Sequence, residues 1–198
     1  MITVRKLKSI TIACISLLAI VSVERVNAQT FAFRNNLLYD ATLTPNLGFD
    51  VRLDSKWTAG AVVGLNAWDI DKEKNKKWRH AFFSFRARKY RDFLFHKGYY
   101  EADFIYSHYN VGNTKIPFGL YSAVKDRRLQ GDLFALGGKY GYSWIMARDW
   151  RIEAEAGVAV GYAWFKEYDC PHCGTFLGNG DRIFLLPQLG INVVYIIN

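Results

Sequence analysis

The sequence has few of the residues that mark several common protein classes. It contains three cysteines, four prolines and two methionines in 198 residues, and it has no low-complexity run. So few cysteines exclude a small disulfide-built fold, and the composition excludes a collagen-like or disordered chain. A mean hydropathy of −0.06 excludes a bundle of membrane-spanning helices.

The one long apolar run lies at the N-terminus and predicts a cleaved signal peptide. Basic residues precede the apolar segment 10–23, and small residues lead to a cleavage site after residue 28. The run is shorter than the roughly 20 residues that a spanning helix needs. A membrane anchor and a lipoprotein signal at Cys14 are the alternatives. The chain is therefore divided into a signal peptide, residues 1–28, and an exported domain, residues 29–198, in an oxidising compartment.

The dominant pattern of residues 29–198 is an alternation of apolar with polar or small residues. In residues 47–54 every odd position is apolar and every even one is glycine or charged. Comparable stretches lie at 57–67, 81–88, 100–107, 134–144, 150–164 and 189–197, and a looser one lies at 33–43. A period of two is that of a strand, whereas a helix repeats at about 3.6 residues. The domain is therefore predicted to be all-β, with about eight strands.

Alternation does not say which face meets water, but other features favour a membrane barrel. Several stretches reach the about 9–11 residues that cross a bilayer as a tilted strand. Large aromatic residues lie near strand ends, as in membrane interfaces: Trp57, Trp68, Trp144, Trp150 and Trp164. The predicted links are short at 55–56 and 147–149, and they are long and polar at 69–79, 110–131 and 167–182.

These features predict an eight-stranded antiparallel up-and-down transmembrane β-barrel with short periplasmic turns and longer surface loops. Such barrels place apolar residues towards lipid and polar residues towards the lumen. The alternative is a soluble periplasmic barrel with the opposite orientation, which would hold an apolar ligand.

In the membrane orientation, the charged residues of the alternation point into the lumen. The candidates for a lumen charge network are Arg34, Asp40, Asp50, Arg52, Asp54, Arg86, Arg88, Glu101, Asp103, Lys139, Arg151, Glu153 and Glu155. Eight strands leave an interior just wide enough for side chains to fill, and unpaired charges there would be costly. Because the two signs nearly balance, whereas ion pathways carry an excess of one sign, we expect a closed lumen that does not conduct.

Several short motifs occur in a fairly specific order at residues 34–41, 44–48, 77–80, 109–112, 141–144 and 190–196. Together they resemble an uncharacterised family of Bacteroidetes outer-membrane β-barrels, over essentially the whole exported domain. The resemblance implies a small eight-stranded barrel in the outer membrane. Genes of that family often lie near fimbrillin-type surface genes, so the resemblance suggests a role in surface assembly, and it implies no catalytic residues.

The sharpest local motif is Cys170-Pro171-His172-Cys173. Redox catalysis would need the first cysteine at a helix N-terminus in a βαβ setting, and a zinc site needs four ligands. Neither condition is met in a predicted loop between strands, so we expect a disulfide between Cys170 and Cys173. Reduced thiols and a metal site that His80 completes are the alternatives.

Enzymatic chemistry and nucleic-acid binding find little support. Ser107 and His108 are adjacent in a predicted strand, so their side chains point to opposite faces and form no nucleophile–base pair. A lipid-modifying enzyme is therefore kept only as an alternative. The basic loops carry no nucleic-acid recognition module.

The basic residues of one predicted loop are candidates for contacts with phosphate groups: Lys72, Lys74, Lys76, Lys77 and Arg79. They are either solvated or contact the phosphates of lipopolysaccharide. We therefore expect a non-enzymatic outer-membrane scaffold or accessory protein without a cofactor. Its partners would be outer-membrane lipids, lipopolysaccharide and a protein of fimbrial or polysaccharide assembly.

Overall fold

The fold is a single antiparallel sheet that closes on itself. It is seen in a computed structural model that describes residues 30–71, 76–113, 127–169 and 174–197. Its elements are β1 (Phe31–Asn36), α1 (Leu37–Ala41), β2 (Asn46–Arg52), β3 (Trp57–Asn66), β4 (Asp69–Asp71), β5 (Lys76–Tyr90), β6 (Lys97–Gly112), β7 (Arg127–Ile145), β8 (Trp150–Asp169) and β9 (Phe176–Ile197).

Eight of the described strands form the ring, in the order of the sequence. Strand β3 pairs with β5, and β9 pairs back onto β1, while the three-residue β4 pairs with β5 alone. The prediction of an all-β fold with eight antiparallel strands is confirmed. Within the described ranges, no helix is long and apolar enough to span a membrane. The predicted signal peptide, residues 1–28, lies outside the described residues.

The first strand is shorter than the loose alternation of residues 33–43 predicted. It ends at Asn36, whose side-chain oxygen accepts a hydrogen bond from the backbone N–H of Leu38 at 3.0 Å and caps α1. After the helix, Leu43 adopts a φ of 57°, and the chain turns back into β2. The apolar residues of this segment therefore lie at the rim of the barrel and do not continue β1.

The walls of the barrel differ greatly in height. Strands β7, β8 and β9 contain 19, 20 and 22 residues, whereas β1, β2 and β3 contain 6, 7 and 10. We call β5–β9 the high wall. Its strands extend into the predicted loops 110–131 and 167–182 from both sides, because β6 reaches Gly112, β7 begins at Arg127, β8 reaches Asp169 and β9 begins at Phe176. The links at the other end, residues 53–56, 91–96 and 146–149, are short, and we call this the short-turn end.

Around the middle of the barrel the outer face is apolar and the interior is polar. Phe85, Leu136 and Leu189 are among the many large apolar side chains exposed on the outside, while Arg88 and Glu153 are buried within. We call this outer zone the apolar band. Of the tryptophans noted in the sequence, Trp57, Trp144 and Trp150 lie near the short-turn end, Trp164 lies further up β8, and Trp68 is exposed after β3.

The polarity reverses on the part of the high wall that extends beyond the apolar band. Leu129, Leu133 and Phe165 point inwards there and line the interior. The outward residues of the same strands are polar: Arg79, His108, Asp132, Lys166 and Asp181. These outward residues mark the upper edge of the apolar band. Charged residues also lie on the inner side of this region, among them Arg127, Glu167 and Arg182. The region was predicted to be loop because neither face there keeps one polarity along the strand.

An apolar cluster fills the interior at the short-turn end. Phe95, in the link between β5 and β6, is 2% exposed, and its ring centroid lies 5.5 Å from that of Tyr90. The Tyr90 ring in turn lies 5.3 Å from that of Tyr99. The Phe95 carbonyl accepts hydrogen bonds from Ser143 Oγ at 3.0 Å and from Arg151 Nε at 3.2 Å. The link is thereby held with the Phe95 side chain inside the barrel.

Candidate functional site

The candidate site is an ionic network in the interior of the barrel, above the apolar cluster. Nine of the thirteen residues proposed for the lumen meet there within the described ranges. The members are Arg34, Asp50, Arg86, Arg88, Glu101, Asp103, Lys139, Glu153 and Glu155. They come from β1, β2, β5, β6, β7 and β8, so the network joins strands that do not pair with each other.

Asp50 of β2 lies between two guanidinium groups. Arg34 Nε donates to Asp50 Oδ2 at 2.8 Å, and Arg86 Nε donates to Asp50 Oδ1 at 2.8 Å. Gly60 is the partner of Asp50 on β3, and any side chain at that glycine would collide with the carboxylate. The absence of a side chain at Gly60 therefore makes room for Asp50 to reach towards Arg86 across β3.

Arg88 is the centre of the network and is completely buried. Its Nη1 donates to Glu153 Oε2 and its Nη2 to Glu155 Oε2, both at 2.8 Å, and its Nε donates to Glu101. The guanidinium carbon lies 4.5 Å from the centroid of the Tyr99 ring, and the Tyr99 hydroxyl donates to Glu155 Oε2 at 2.9 Å. The planar fork of an arginine suits this task, because its donors diverge in fixed directions.

A second contact of Arg34 and the contacts of Lys139 complete the network. Arg34 Nη1 donates to Glu153 Oε2 at 2.6 Å, which connects β1 with β8. Lys139 Nζ lies 2.6 Å from Glu101 Oε1 and 3.2 Å from Glu155 Oε1. Every cation of the network thus has an acidic partner, which offsets part of the cost of burying the charges.

The network contains five carboxylates and four cations, so as described it has one negative charge in excess. Its edge also includes a residue that the charge pattern did not identify. Gln188 Nε2 donates to Asp103 Oδ2 at 2.7 Å. The alternation of the last strand predicts that Gln188 points inwards, but an uncharged residue is not identified by a search for charges. Tyr99 was missed for the same reason.

The structure does not bring the other four proposed residues into the network. Asp40 belongs to α1 and accepts from Asn46 Nδ2 at 3.0 Å, and Arg52 is exposed at the end of β2. Asp54 accepts from the backbone N–H of Ser55 in the turn. Arg151 donates to main-chain carbonyls, including that of Phe95. Asp40 has asparagine side chains as its donors, and the other three residues lie near strand ends, where water or free main-chain groups satisfy a charge without an ionic partner.

The structure describes only three of the five proposed phosphate-contact residues. Lys72 and Lys74 lie outside the described residues, and so do Cys170 and Cys173 of the proposed disulfide. Lys76, Lys77 and Arg79 belong to β5, and Arg79 Nη2 donates to Asp69 Oδ2 at 2.6 Å. Over the part of the chain that the structure describes, no group of acidic, histidine or cysteine side chains is arranged to hold a metal ion.

Ser107 and His108 point to opposite sides of the wall. Ser107 Oγ donates inwards to the carbonyl of Ala81 at 3.0 Å. His108 is exposed outside, where its Nδ1 lies 2.8 Å from Asp132 Oδ1, which also accepts from the Tyr106 hydroxyl at 2.8 Å. The two adjacent residues therefore form no nucleophile–base pair.

Above the ionic network the interior widens into a cavity of about 810 Å³, which we call the upper cavity. Arg86, Asp103, Lys139 and Gln188 form its floor. Its walls are largely apolar and aromatic, with contributions from Tyr39, Phe82, Leu133, Phe165 and Phe184. The Tyr39 side chain from α1 packs edge-on against the Phe82 ring, at a centroid distance of 5.2 Å.

Together, the closed sheet and its interior define an eight-stranded antiparallel β-barrel with an ionic network inside and an apolar outer band. The chain belongs to the family described as protein of unknown function (DUF3575), whose model matches residues 12–197. No curated protein and no solved structure gives a significant match to the chain.

Proposed function

We propose that the chain is a barrel of the bacterial outer membrane that acts as a non-enzymatic scaffold or accessory protein. The observation that carries the proposal is the apolar band on the outer face. Water would disfavour so much contiguous exposed apolar surface, whereas lipid would solvate it. A soluble barrel with an apolar ligand would require the reverse arrangement, with charges outside and apolar residues inside at the same level.

The dimensions of the apolar band support a bilayer environment. On β7 the outward apolar residues run from Phe134 to Trp144, and Asp132 follows above them. A tilted strand of about 9–11 residues crosses the hydrocarbon core. Trp144 and Trp150 near the lower edge and Trp164 near the upper edge would lie in the two interfaces, where their amphipathic rings are favoured.

The interior supports the proposal of a closed lumen. The ionic network joins opposite parts of the wall, and the apolar cluster around Phe95 lies below it. An ion that crossed this interior would have to separate buried ion pairs and displace packed side chains. We therefore propose that the barrel does not conduct ions steadily.

The proposed role is contact with the cell surface. Lys77, Arg79 and Arg128 are strand residues beyond the upper edge of the apolar band, where they could pair with lipopolysaccharide phosphates. The resemblance to Bacteroidetes barrels near fimbrillin-type genes favours a partner from fimbrial or polysaccharide assembly.

A lipid-modifying enzyme is the second candidate, because His108, Asp132 and Tyr106 meet at the same edge. Lipid A mass spectra of a deletion strain that match wild type would remove that candidate.

The first test is electrophoresis of the outer-membrane fraction that contains tagged protein, with and without boiling and with and without reductant. We expect the protein in this fraction and a change of migration on boiling, because folded membrane barrels resist detergent. A soluble periplasmic protein without a heat-dependent shift would contradict the proposal. Planar-bilayer recordings test the closed lumen separately, and steady conductance would reject that part alone.

A further inference from the structure

The upper cavity has apolar walls at a level where the outer face of the barrel is polar. Ile105, Leu133 and Phe165 line the cavity, whereas Asp132 and Lys166 point outwards from the same wall. Water against an apolar surface is unfavourable, and an apolar body that displaces it is favoured. The volume of about 810 Å³ lies within the roughly 300–1,000 Å³ of small-molecule sites. The walls therefore suit an apolar ligand.

One basic side chain of these walls has no acidic partner. Arg182 of β9 lines the cavity and is exposed, and it forms no ion pair with any residue in the described ranges. The basic residues of the floor belong to the ionic network, and higher on the wall Arg127 Nη1 donates to Glu167 Oε1 at 2.6 Å. The guanidinium donors of Arg182 are therefore available to a ligand.

The position of Arg182 places its charge among apolar neighbours. Arg182 pairs with Ala163 of β8, which in turn pairs with Leu133 of β7. Asp103 of the floor lies in the row of Leu186, which is four residues further along β9, or about 13 Å at the rise of a strand. The described charges that line the whole cavity balance, so the sign of the ligand is selected locally. At the level of Arg182 the local charge favours an anion.

The helix α1 connects the cavity with apolar surface on the outside. Leu37 and Leu43 are exposed at the rim, while Leu38 and Tyr39 of the same segment line the cavity. This rim lies on the low side of the barrel, where β1 contains only six residues. Apolar surface therefore continues across the rim, which suits the entry of an acyl chain.

We propose that the upper cavity binds a single-chain fatty acid. Its carboxylate accepts hydrogen bonds from the guanidinium group of Arg182, and its acyl chain lies against the apolar walls around Leu133 and Phe165. The planar fork of an arginine matches a carboxylate, and one carboxylate balances the one charge of Arg182. The site goes beyond a scaffold role, since a scaffold needs no ligand in its interior.

The test is photolabelling of protein that is expressed from the full chain, purified, delipidated and reconstituted in lipid vesicles. The probe is palmitic acid with a diazirine in the middle of its chain, and peptide mass spectrometry locates the label. We expect saturable label on the inward Leu133 and Phe165 that palmitate displaces. Hexadecanol has the same chain without the charge and should displace it about tenfold more weakly. Label on the outward Leu136 reports probe dissolved in the bilayer and should not saturate.

Three variants complete the experiment. Arg182→Gln removes the charge from an exposed side chain and should raise the probe concentration for half-maximal inward label about tenfold. Lys166→Gln removes an exposed outward cation from β8 and should leave this concentration unchanged. Ala163→Trp fills the cavity beside Arg182 and should abolish the inward label. Label confined to outward residues, equal displacement by palmitate and hexadecanol, or unchanged inward label in Arg182→Gln would each overturn the proposal.

Discussion

Arg88 of β5 donates from Nη1 to Glu153 Oε2 of β8 at 2.8 Å, although β5 and β8 are separated by two strands in the ring. The contact therefore crosses the interior and does not follow the sheet. Arg34 of β1 reaches the same carboxylate oxygen at 2.6 Å. Glu153 thus joins three parts of the wall, and the barrel is held together by contacts across its interior as well as by pairing of its strands.

Removal of the central cation should destabilise the barrel strongly. Arg88→Met keeps much of the volume but removes the cation that Glu101, Glu153 and Glu155 share. Loss of one side of a buried ion pair costs about 3–5 kcal/mol. We expect the free energy of unfolding to fall by this amount. It is measured by urea unfolding of the protein in lipid vesicles, with tryptophan fluorescence as the signal.

The control for this variant is Lys166→Met, which removes an exposed cation from the outer face of β8. It should change the free energy of unfolding by less than about 0.5 kcal/mol. Equal effects of the two substitutions would mean that the ionic network does not stabilise the fold.

The apolar cluster at the short-turn end gives a second prediction. Phe95→Ala removes a fully packed ring from inside the barrel, which costs about 3–5 kcal/mol in protein cores. Phe93 lies in the same link and is 73% exposed, so Phe93→Ala is the matched control. Thermal unfolding of both variants is measured as the temperature at which the heat-dependent gel shift occurs. We expect this temperature to fall for Phe95→Ala only. A similar decrease for both would indicate that Phe95 does not pack inside.

The glycine beside Asp50 gives a third prediction. Gly60→Ala would place a methyl group against Asp50 Oδ1 and the Phe49 carbonyl, which must displace the contact with Arg86. Overpacking of this kind costs about 1–3 kcal/mol. In Gly138→Ala the nearest atom to the new methyl would be 3.8 Å away, so that variant should be close to wild type in the same unfolding experiment. A neutral Gly60→Ala would show that Asp50 has room to move.

Much of the barrel could be predicted from local patterns. Alternation in residues 47–54, 81–88 and 150–164 gave strands and assigned Asp50, Arg88 and Glu153 to the polar face, because a strand repeats every two residues. Alternation does not give distances, so it could not tell that Arg86 points to Asp50 and away from Asp103. It also placed Arg52 and Arg151 with the network, although they lie near strand ends.

Two other features depend on tertiary contacts. Phe95 belongs to a short link, and its ring contact with Tyr90 and the hydrogen bonds that its carbonyl accepts explain why it turns into the barrel. Leu129 and Leu133 alternate with polar residues as other strand residues do, but their apolar side faces inwards. A pattern of fixed polarity therefore assigned part of this region to a loop.

The orientation of the barrel towards lipid gives the last prediction. Leu136 lies in the middle of the apolar band and is 65% exposed in the isolated chain. If lipid covers this face, Leu136→Arg places a charge near the bilayer centre, at a cost of about 2–4 kcal/mol. Gln130→Arg lies on the same face of β7, above the apolar band, and should cost less than about 1 kcal/mol. Reversible unfolding in lipid vesicles measures the change in the free energy of unfolding for both variants. A barrel that is surrounded by water would accept Leu136→Arg without loss, since an exposed leucine on a wet surface contributes little.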